Sequence, residues 1–191
     1  MNIEIEKIKS QLNAVGIVIT DIYDLVNSKK AYPDAIPILV GLLEDGIEDE
    51  NTKEGVIRAL AVKDAIGIAT PVLIREYSKL SLEKVLLRWA IGNSVYVTMT
   101  KGCLDEVIRI VTDKTNGISR QMFVAALGKI KTEETESILI SLLDDDEVAP
   151  HALEALGRLK SLKAVTKISS LKNHANPLIR KEALKALKKI T

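Results

Sequence analysis

The chain has 191 residues, of which 47% are hydrophobic, 28% are charged and only 3% are aromatic. This length is enough to bury one sizeable core, so we expect a single domain spanning residues 1–191. The mixture of apolar and charged residues excludes disordered and collagen-like chains. The single cysteine excludes a disulfide framework and every metal site that needs several cysteines.

The total charge is close to zero, but acidic and basic residues are distributed unevenly along the sequence. Residues 1–50 carry 4 basic and 10 acidic side chains, whereas residues 151–191 carry 10 basic and 2 acidic ones. A basic C-terminal end could steer an acidic partner or a nucleic acid toward it. The alternative, which we favour, is that lysines cover a terminal repeat with solvated charge. The candidate basic surface consists of Arg158, Arg180, Lys181, Lys185 and Lys189.

Residues 1–30 come first in chain order and are predicted to form one or two capping helices, because their apolar residues recur at helical spacing. These apolar residues are Ile5, Ile8, Leu12, Val15, Ile19, Ile22 and Leu25. The start of the chain lacks the basic and apolar regions of a signal peptide, and no apolar run is long enough to span a bilayer. We therefore expect a soluble, cytoplasmic protein.

Residues 31–191 are organised as about five repeats. Five segments share an alanine, an aliphatic residue and then a small or polar residue, and they begin at Ala59, Ala90, Ala126, Ala155 and Ala186. An apolar stretch that ends in a polar turn precedes three of them, so each unit is predicted to be two helices joined by a turn. Such units cannot bury both apolar faces alone and must stack. The sequence therefore predicts an all-α fold, an α–α superhelix of about five helix pairs with an N-terminal helical cap.

The C-terminal units carry the clearest family resemblance. The segments SLLDD at 141–145 with ALEALG at 152–157, and SLK at 170–172 with IRKEALKAL at 179–187, resemble HEAT repeats. They are most similar to the short HEAT-like repeats of phycobilisome lyases, and the resemblance covers about residues 33–191. It implies a stacked solenoid, and it implies little about function because the family ranges from scaffolds to enzymes. It also implies a basic residue six positions before each alanine, found here as Lys53, Lys84, Arg120 and Arg180, with Ala149 breaking the series.

No motif for catalysis or metal binding is present in the sequence. There is no glycine-rich phosphate loop, and neither His151 nor His174 has a neighbouring cysteine or histidine that could complete a metal site. The acidic runs at 44–50 and 144–147 lack the ligand order of a calcium loop. We therefore expect no metal, no cofactor and no enzymatic activity.

The face of the second helices is the strongest candidate for a binding site. In each repeat, the residues four and one before the alanine and three after it share one helical face, which is expected to line the concave side of the stack. This face is polar in the outer repeats but apolar around Trp89, the only tryptophan. Tryptophan and arginine dominate interaction hot spots. We therefore hypothesise a partner-binding groove centred on Arg58, Leu86, Trp89, Asn93 and Met122, with Arg88 beside Trp89.

Several alternatives remain open from the sequence. Trp89 could instead fill a gap in the core, or it could stack on a ligand or a base. The favoured function is a non-enzymatic scaffold or regulator that binds a protein partner. The alternative is a nucleic-acid-binding protein similar in shape to HEAT-like glycosylases of alkylated bases, although the chain has no second tryptophan and no placed carboxylate for base excision.

Overall fold

The structure is a computed structural model that describes residues 3–191. These residues form twelve α-helices joined by turns and short 3₁₀ segments, and no strand occurs among them. The helices are α1 (Ile3–Asn13), α2 (Tyr23–Val26), α3 (Ala35–Asp45), α4 (Glu50–Ala59), α5 (Thr70–Lys79), α6 (Val85–Thr98), α7 (Leu104–Thr112), α8 (Gln121–Leu127), α9 (Glu133–Ser141), α10 (Ala149–Leu159), α11 (Val165–Ser170) and α12 (Pro177–Ile190).

The chain divides into two compact units, residues 1–100 and 101–191. In the first unit, α1 packs on α3 and α2 packs on α4. The pairs α3–α4 and α5–α6 then stack, with α3 against α5 and α4 against α6. Apolar side chains on the facing sides of these helices are fully buried, and they include Leu39, Leu43, Ile57, Leu73 and Ile91. Stacking therefore buries the two apolar faces that a single helix pair leaves exposed.

The second unit repeats the same arrangement with α7–α8, α9–α10 and α11–α12. The second helices lie in a row, with α8 against α10 and α10 against α12. Its fully buried side chains include Phe123, Leu127, Leu153, Leu156 and Ile179. The prediction of an all-α solenoid with five helix pairs after an N-terminal helical cap is confirmed. The assignment of residues 1–191 to a single domain stays a prediction.

Side chains that satisfy the free backbone groups set the helix starts. Asp49 precedes α4 and accepts a hydrogen bond from the Thr52 amide at 2.8 Å. Asn176 precedes α12 and accepts one from the Leu178 amide at 2.9 Å. Such caps pair amides that have no partner within their own helix.

None of the helices in residues 3–191 combines the length and apolar character that crossing a bilayer would require.

Small residues in the repeat motif allow two second helices to approach closely. A Cβ atom added to Gly128 would lie 2.8 Å from the Cα atom of Ala155, the alanine of the next repeat. A Cβ on Gly157 would lie 3.1 Å from the Cα atom of Ala186. Gly128 is therefore a packing requirement, because real Cβ atoms essentially never come this close to backbone atoms. A Cβ on Gly157 would be a tight contact that needs a small shift of its neighbour.

Two positions predicted on the exposed face of the second helices are wrong. Gly55 is buried because the side chain of Ile22, from the N-terminal cap, covers it. Ala125 is also buried, since it lies in α8 where that helix packs against α10. The periodicity of one helix does not show what a neighbouring segment places on it.

The predicted series of basic residues near the starts of the second helices forms ion pairs at three of its four positions. Arg120 is the most extensively bound, with ion pairs of 2.9 Å to Asp145 and 2.8 Å to Glu147. Lys53 lies 3.7 Å from Glu76, and Lys84 pairs with Glu50. Arg180 instead donates to the carbonyl oxygens of His174 and Ala175, at 2.7 and 2.8 Å. These residues connect helices or fix turns.

Candidate protein-binding surface

A stripe of exposed apolar side chains runs along the start of α6. The stripe consists of Leu82, Val85, Leu86 and Trp89. Leu86 exposes 75% of its surface and Trp89 exposes 40%. These residues are spaced i, i+3, i+4 and i+7, so the helical ones share one side of α6. Trp89 is therefore a surface residue of the first unit and does not fill the core.

The opposite side of α6 explains why this stripe faces solvent. The buried side chains of the helix, including Leu87, Ala90, Ile91 and Val95, lie on its packed side. That side contacts α4 and α5. Because α6 carries apolar residues on both sides, one apolar set remains after the helix is packed.

Asn93 adjoins the stripe, and Arg58 lies on the neighbouring helix α4. Asn93 is half-buried, and its side-chain amide donates to the backbone oxygen of Trp89 at 3.1 Å, one turn earlier on α6. A hydrogen bond joins α4 to α6, because the Ser94 hydroxyl donates to the backbone oxygen of Ile57 at 2.8 Å. The guanidinium of Arg58 pairs with Glu54 at 2.6 Å. The structure thus places Leu86, Trp89, Asn93 and Arg58 on adjacent helices of the first unit. Met122 lies on α8 in the second unit, where it is partly exposed.

Arg88 does not flank Trp89 on the surface, so this expectation is wrong. Its side chain is buried on the packed side of α6, and its guanidinium lies 3.9 Å from the centre of the Tyr77 ring. It donates to the backbone oxygens of Tyr77 and Leu80 at 3.3 and 3.0 Å. These carbonyls lie at the C-terminal end of α5, where a cation is favourable because a helix end carries partial negative charge. Arg88 is therefore a structural link between α5 and α6.

A cleft of about 440 Å³ opens beside the apolar stripe, between the first turns of α4 and α6. It is lined by Glu50, Asn51, Glu54, Glu83, Lys84, Val85, Leu86 and Leu87. Lys84 pairs with Glu50, so one cation and three carboxylates face the same space. The cleft combines the exposed apolar surface of Leu86 with negative charge.

The sequence hypothesis missed the acidic side of this site. It considered only the exposed face of each second helix, and it treated the acidic run at 44–50 as part of a turn. The i, i+4 spacing of Glu50 and Glu54 at the start of α4 is the signal that could have identified this side of the cleft. The position of Glu83 requires the structure, because this residue lies in the turn before α6.

The predicted basic residues of the second unit are partly neutralised. Arg158 pairs with Glu154 at 2.7 Å and Lys185 pairs with Glu182 at 2.7 Å. Lys181 and Lys189 are exposed. Because local carboxylates hold two of the five cations, this surface is less positive than the charge count of residues 151–191 indicates.

His151 lies in a second cleft of the second unit, together with Glu154, Glu182, Lys185 and Lys189. Burial lowers the pKa of His151, and the two nearby glutamates oppose that shift without cancelling it. Its Nδ1 atom is buried and has no hydrogen-bond partner within residues 3–191. No group of three metal-binding side chains occurs in this described part of the chain. The absence of a metal or cofactor requirement stays a prediction.

Comparisons with known proteins identify the fold. The chain is similar to a designed armadillo repeat protein at 17% identity and a TM-score of 0.55, over 98% of this chain and 100% of the other. A second designed armadillo repeat protein, solved in complex with the peptide (KR)4, gives 19% identity and a TM-score of 0.57 over 98% and 100%. An engineered protein gives 21% identity and 0.56 over 100% and 97%. No protein-family model matches the sequence, and no curated protein matches it. These likenesses establish an α-solenoid repeat fold.

Proposed function

We propose that this protein is a non-enzymatic binding module that holds a protein partner on the surface formed by α4 and α6 of its first unit. We also propose that its repeats are of the HEAT-like class, which the pairing of two helices per repeat supports. The observation that carries the proposal is the exposed stripe of Leu82, Val85, Leu86 and Trp89 beside an open cleft. Exposed leucines occur singly on many proteins, but four apolar side chains on two turns form a contact patch.

The composition of the surface favours a protein partner. Tryptophan contributes a large, rigid contact area, and it is enriched among the residues that carry binding energy. Polar and charged groups surround the stripe, including Asn93 and the Arg58–Glu54 ion pair. An apolar centre with a polar rim is the usual composition of a protein interface. The designed armadillo repeat protein in complex with the peptide (KR)4 supports the same use of this fold.

Nucleic-acid binding is supported less well. The exposed tryptophan lies beside carboxylates, which repel a phosphate backbone. The candidate basic surface is on the second unit, where Glu154 and Glu182 neutralise Arg158 and Lys185. A stacking aromatic side chain and a positive groove are thus not found together in either unit.

A peptide-display selection tests the proposed function. A random peptide library is selected on the protein, and each recovered peptide is measured against Leu86→Gln and against the matched control Leu184→Gln. Both leucines are exposed on helices, so neither change should disturb folding. We expect binding to weaken at least tenfold in Leu86→Gln and to stay within twofold in Leu184→Gln. Peptides that bind both variants equally would contradict the proposal.

A further inference from the structure

The acidic groups around the apolar stripe restrict which partner fits it. Glu50, Glu54 and Glu83 line the cleft beside Leu86. The carboxylate of Glu4, from α1, accepts hydrogen bonds from the backbone amides of Glu48 and Asp49 at 2.8 and 3.0 Å, just before α4. Six carboxylates therefore surround the start of α4 and the cleft.

Two cations pair with two of the three carboxylates that line the cleft. Lys84 pairs with Glu50, and Arg58 pairs with Glu54 through the Oε1 atom alone. Glu83 is exposed and makes no ion pair with any residue in 3–191. The starts of α4 and α6 each add about half a positive charge, and at α4 the Glu4 and Asp49 carboxylates already accept hydrogen bonds from the amides there. The cleft is thus an anionic site next to an apolar one.

We propose that the partner is a basic protein segment, in which a lysine or arginine enters the cleft and an adjacent apolar side chain packs on Leu86 and Trp89. This inference rests on the proposed function and specifies the chemistry of its partner. A cationic group reaching Glu83 and the free oxygen of Glu54 gains charge-assisted hydrogen bonds. The aliphatic stem of the same residue covers Val85 and Leu86, since lysine and arginine bury their stems while their charged ends stay solvated.

Two octapeptides without tryptophan test the inference, alternating lysine and leucine, (KL)4, and its acidic counterpart, (EL)4. Trp89 is the only tryptophan of the chain, so its fluorescence reports binding at the proposed surface. We expect (KL)4 to bind at least tenfold more tightly than (EL)4 and to weaken as salt is raised. Glu83→Gln and Glu50→Gln should each weaken (KL)4 about two- to fivefold, which is the range of half-exposed ion pairs.

The matched control is Glu134→Gln, which removes the same charge from an exposed position on α9 of the second unit. It should leave the affinity for (KL)4 unchanged. Equal affinity for (KL)4 and (EL)4, or loss of (KL)4 binding in the control alone, would overturn the inference.

Other outcomes separate the inference from the proposed function. If (EL)4 binds more tightly than (KL)4 and Leu86→Gln removes that binding, the inference fails while the proposed function stands. If neither peptide responds to Leu86→Gln or to the glutamate variants, both fail. Sedimentation of the protein alone gives a further test. Self-association that Leu86→Gln abolishes would mean that a second copy occupies the surface, and it would overturn the basic segment.

Discussion

Arg120 is the residue whose replacement should destabilise the second unit most clearly. Its side chain is 0% exposed, and its guanidinium donates to the backbone oxygens of Gly117 and Val111 at 2.9 and 3.2 Å. It also pairs with Asp145 and Glu147. Arg120→Met keeps the length and apolar stem of the side chain but removes all of these interactions.

The expected loss follows from what the substitution leaves behind. The Asp145 side chain is only 12% exposed, so its carboxylate would lose its cation in a largely dry site. Breaking a buried pair in this way costs about 3–5 kcal/mol. Glu147 is half exposed and adds at most about 1 kcal/mol. Because Asp145 retains some contact with water, we expect a loss of about 3 kcal/mol in the free energy of unfolding.

Urea unfolding of the whole chain, followed by far-UV circular dichroism, measures this loss. Backbone hydrogen exchange of residues 104–191 assigns it to the second unit. Aromatic fluorescence is unsuitable, because the tryptophan and all four tyrosines lie in residues 1–100. The double variant Arg120→Met/Asp145→Asn should recover about half of the loss, since the unpaired charge is then gone.

The matched control is Arg180→Met, at the corresponding repeat position in the first turn of α12. Arg180 is partly exposed and makes hydrogen bonds only to carbonyl oxygens, so its replacement should cost about 1 kcal/mol. If the free energy of unfolding of Arg120→Met lies within about 0.5 kcal/mol of that of Arg180→Met, the buried ion pairs do not stabilise the unit and the reasoning is refuted.

Three further predictions concern stability and are measured by urea unfolding. Gly128→Ala should destabilise the protein by about 1–3 kcal/mol because its Cβ would meet Ala155, whereas Gly41→Ala, in α3 with open space around it, should stabilise by about 0.5–1 kcal/mol; equal effects would contradict the close packing. Lys160 ends α10 at a φ of 53°, so Lys160→Gly should stabilise by about 1 kcal/mol, and a loss would show that the left-handed conformation is not strained. Burial lowers the pKa of His151 below its ordinary value of 6.5, so the free energy of unfolding should decrease as the pH falls below 6.5. His151→Gln should show a smaller decrease between pH 7.5 and 5.5. Equal decreases in the two proteins would contradict the burial.

The helix pairs were predictable because the alanine-centred segments recur along the sequence at spacings typical of two-helix repeats. The alanine of each segment is buried, and Gly128 is required by its close approach to Ala155 of the next repeat. The ion pairs of Arg120 also followed the repeat, since a basic residue at this position meets the acidic turn of the next unit.

The misplaced residues share a physical cause. Periodicity assigns the charged side chain of Arg88 to the edge of the surface, but it is buried and donates hydrogen bonds to backbone oxygens at the end of α5. Gly55 was assigned to solvent because nothing in α4 reveals that Ile22 covers it. In both cases the deciding partner belongs to another element, and the pattern within one helix carries no information about it.

The candidate site was predictable only on its apolar side. Leu86 and Trp89 stand out because a helix with apolar residues all round either is buried on both sides or exposes an apolar patch, and the structure exposes these two residues. The acidic cleft depends on how α4 and the turn before α6 come together, which the periodicity of one helix does not encode.

The most direct test of the account is to locate a bound peptide by hydrogen exchange. A peptide from the display selection is added at saturation, and amide protection is compared across the chain with and without it. We predict new protection at the starts of α4 and α6, around residues 50–58 and 82–93, with little change in α10 and α12. Protection confined to α10 and α12 would contradict the assignment of the binding surface to the first unit.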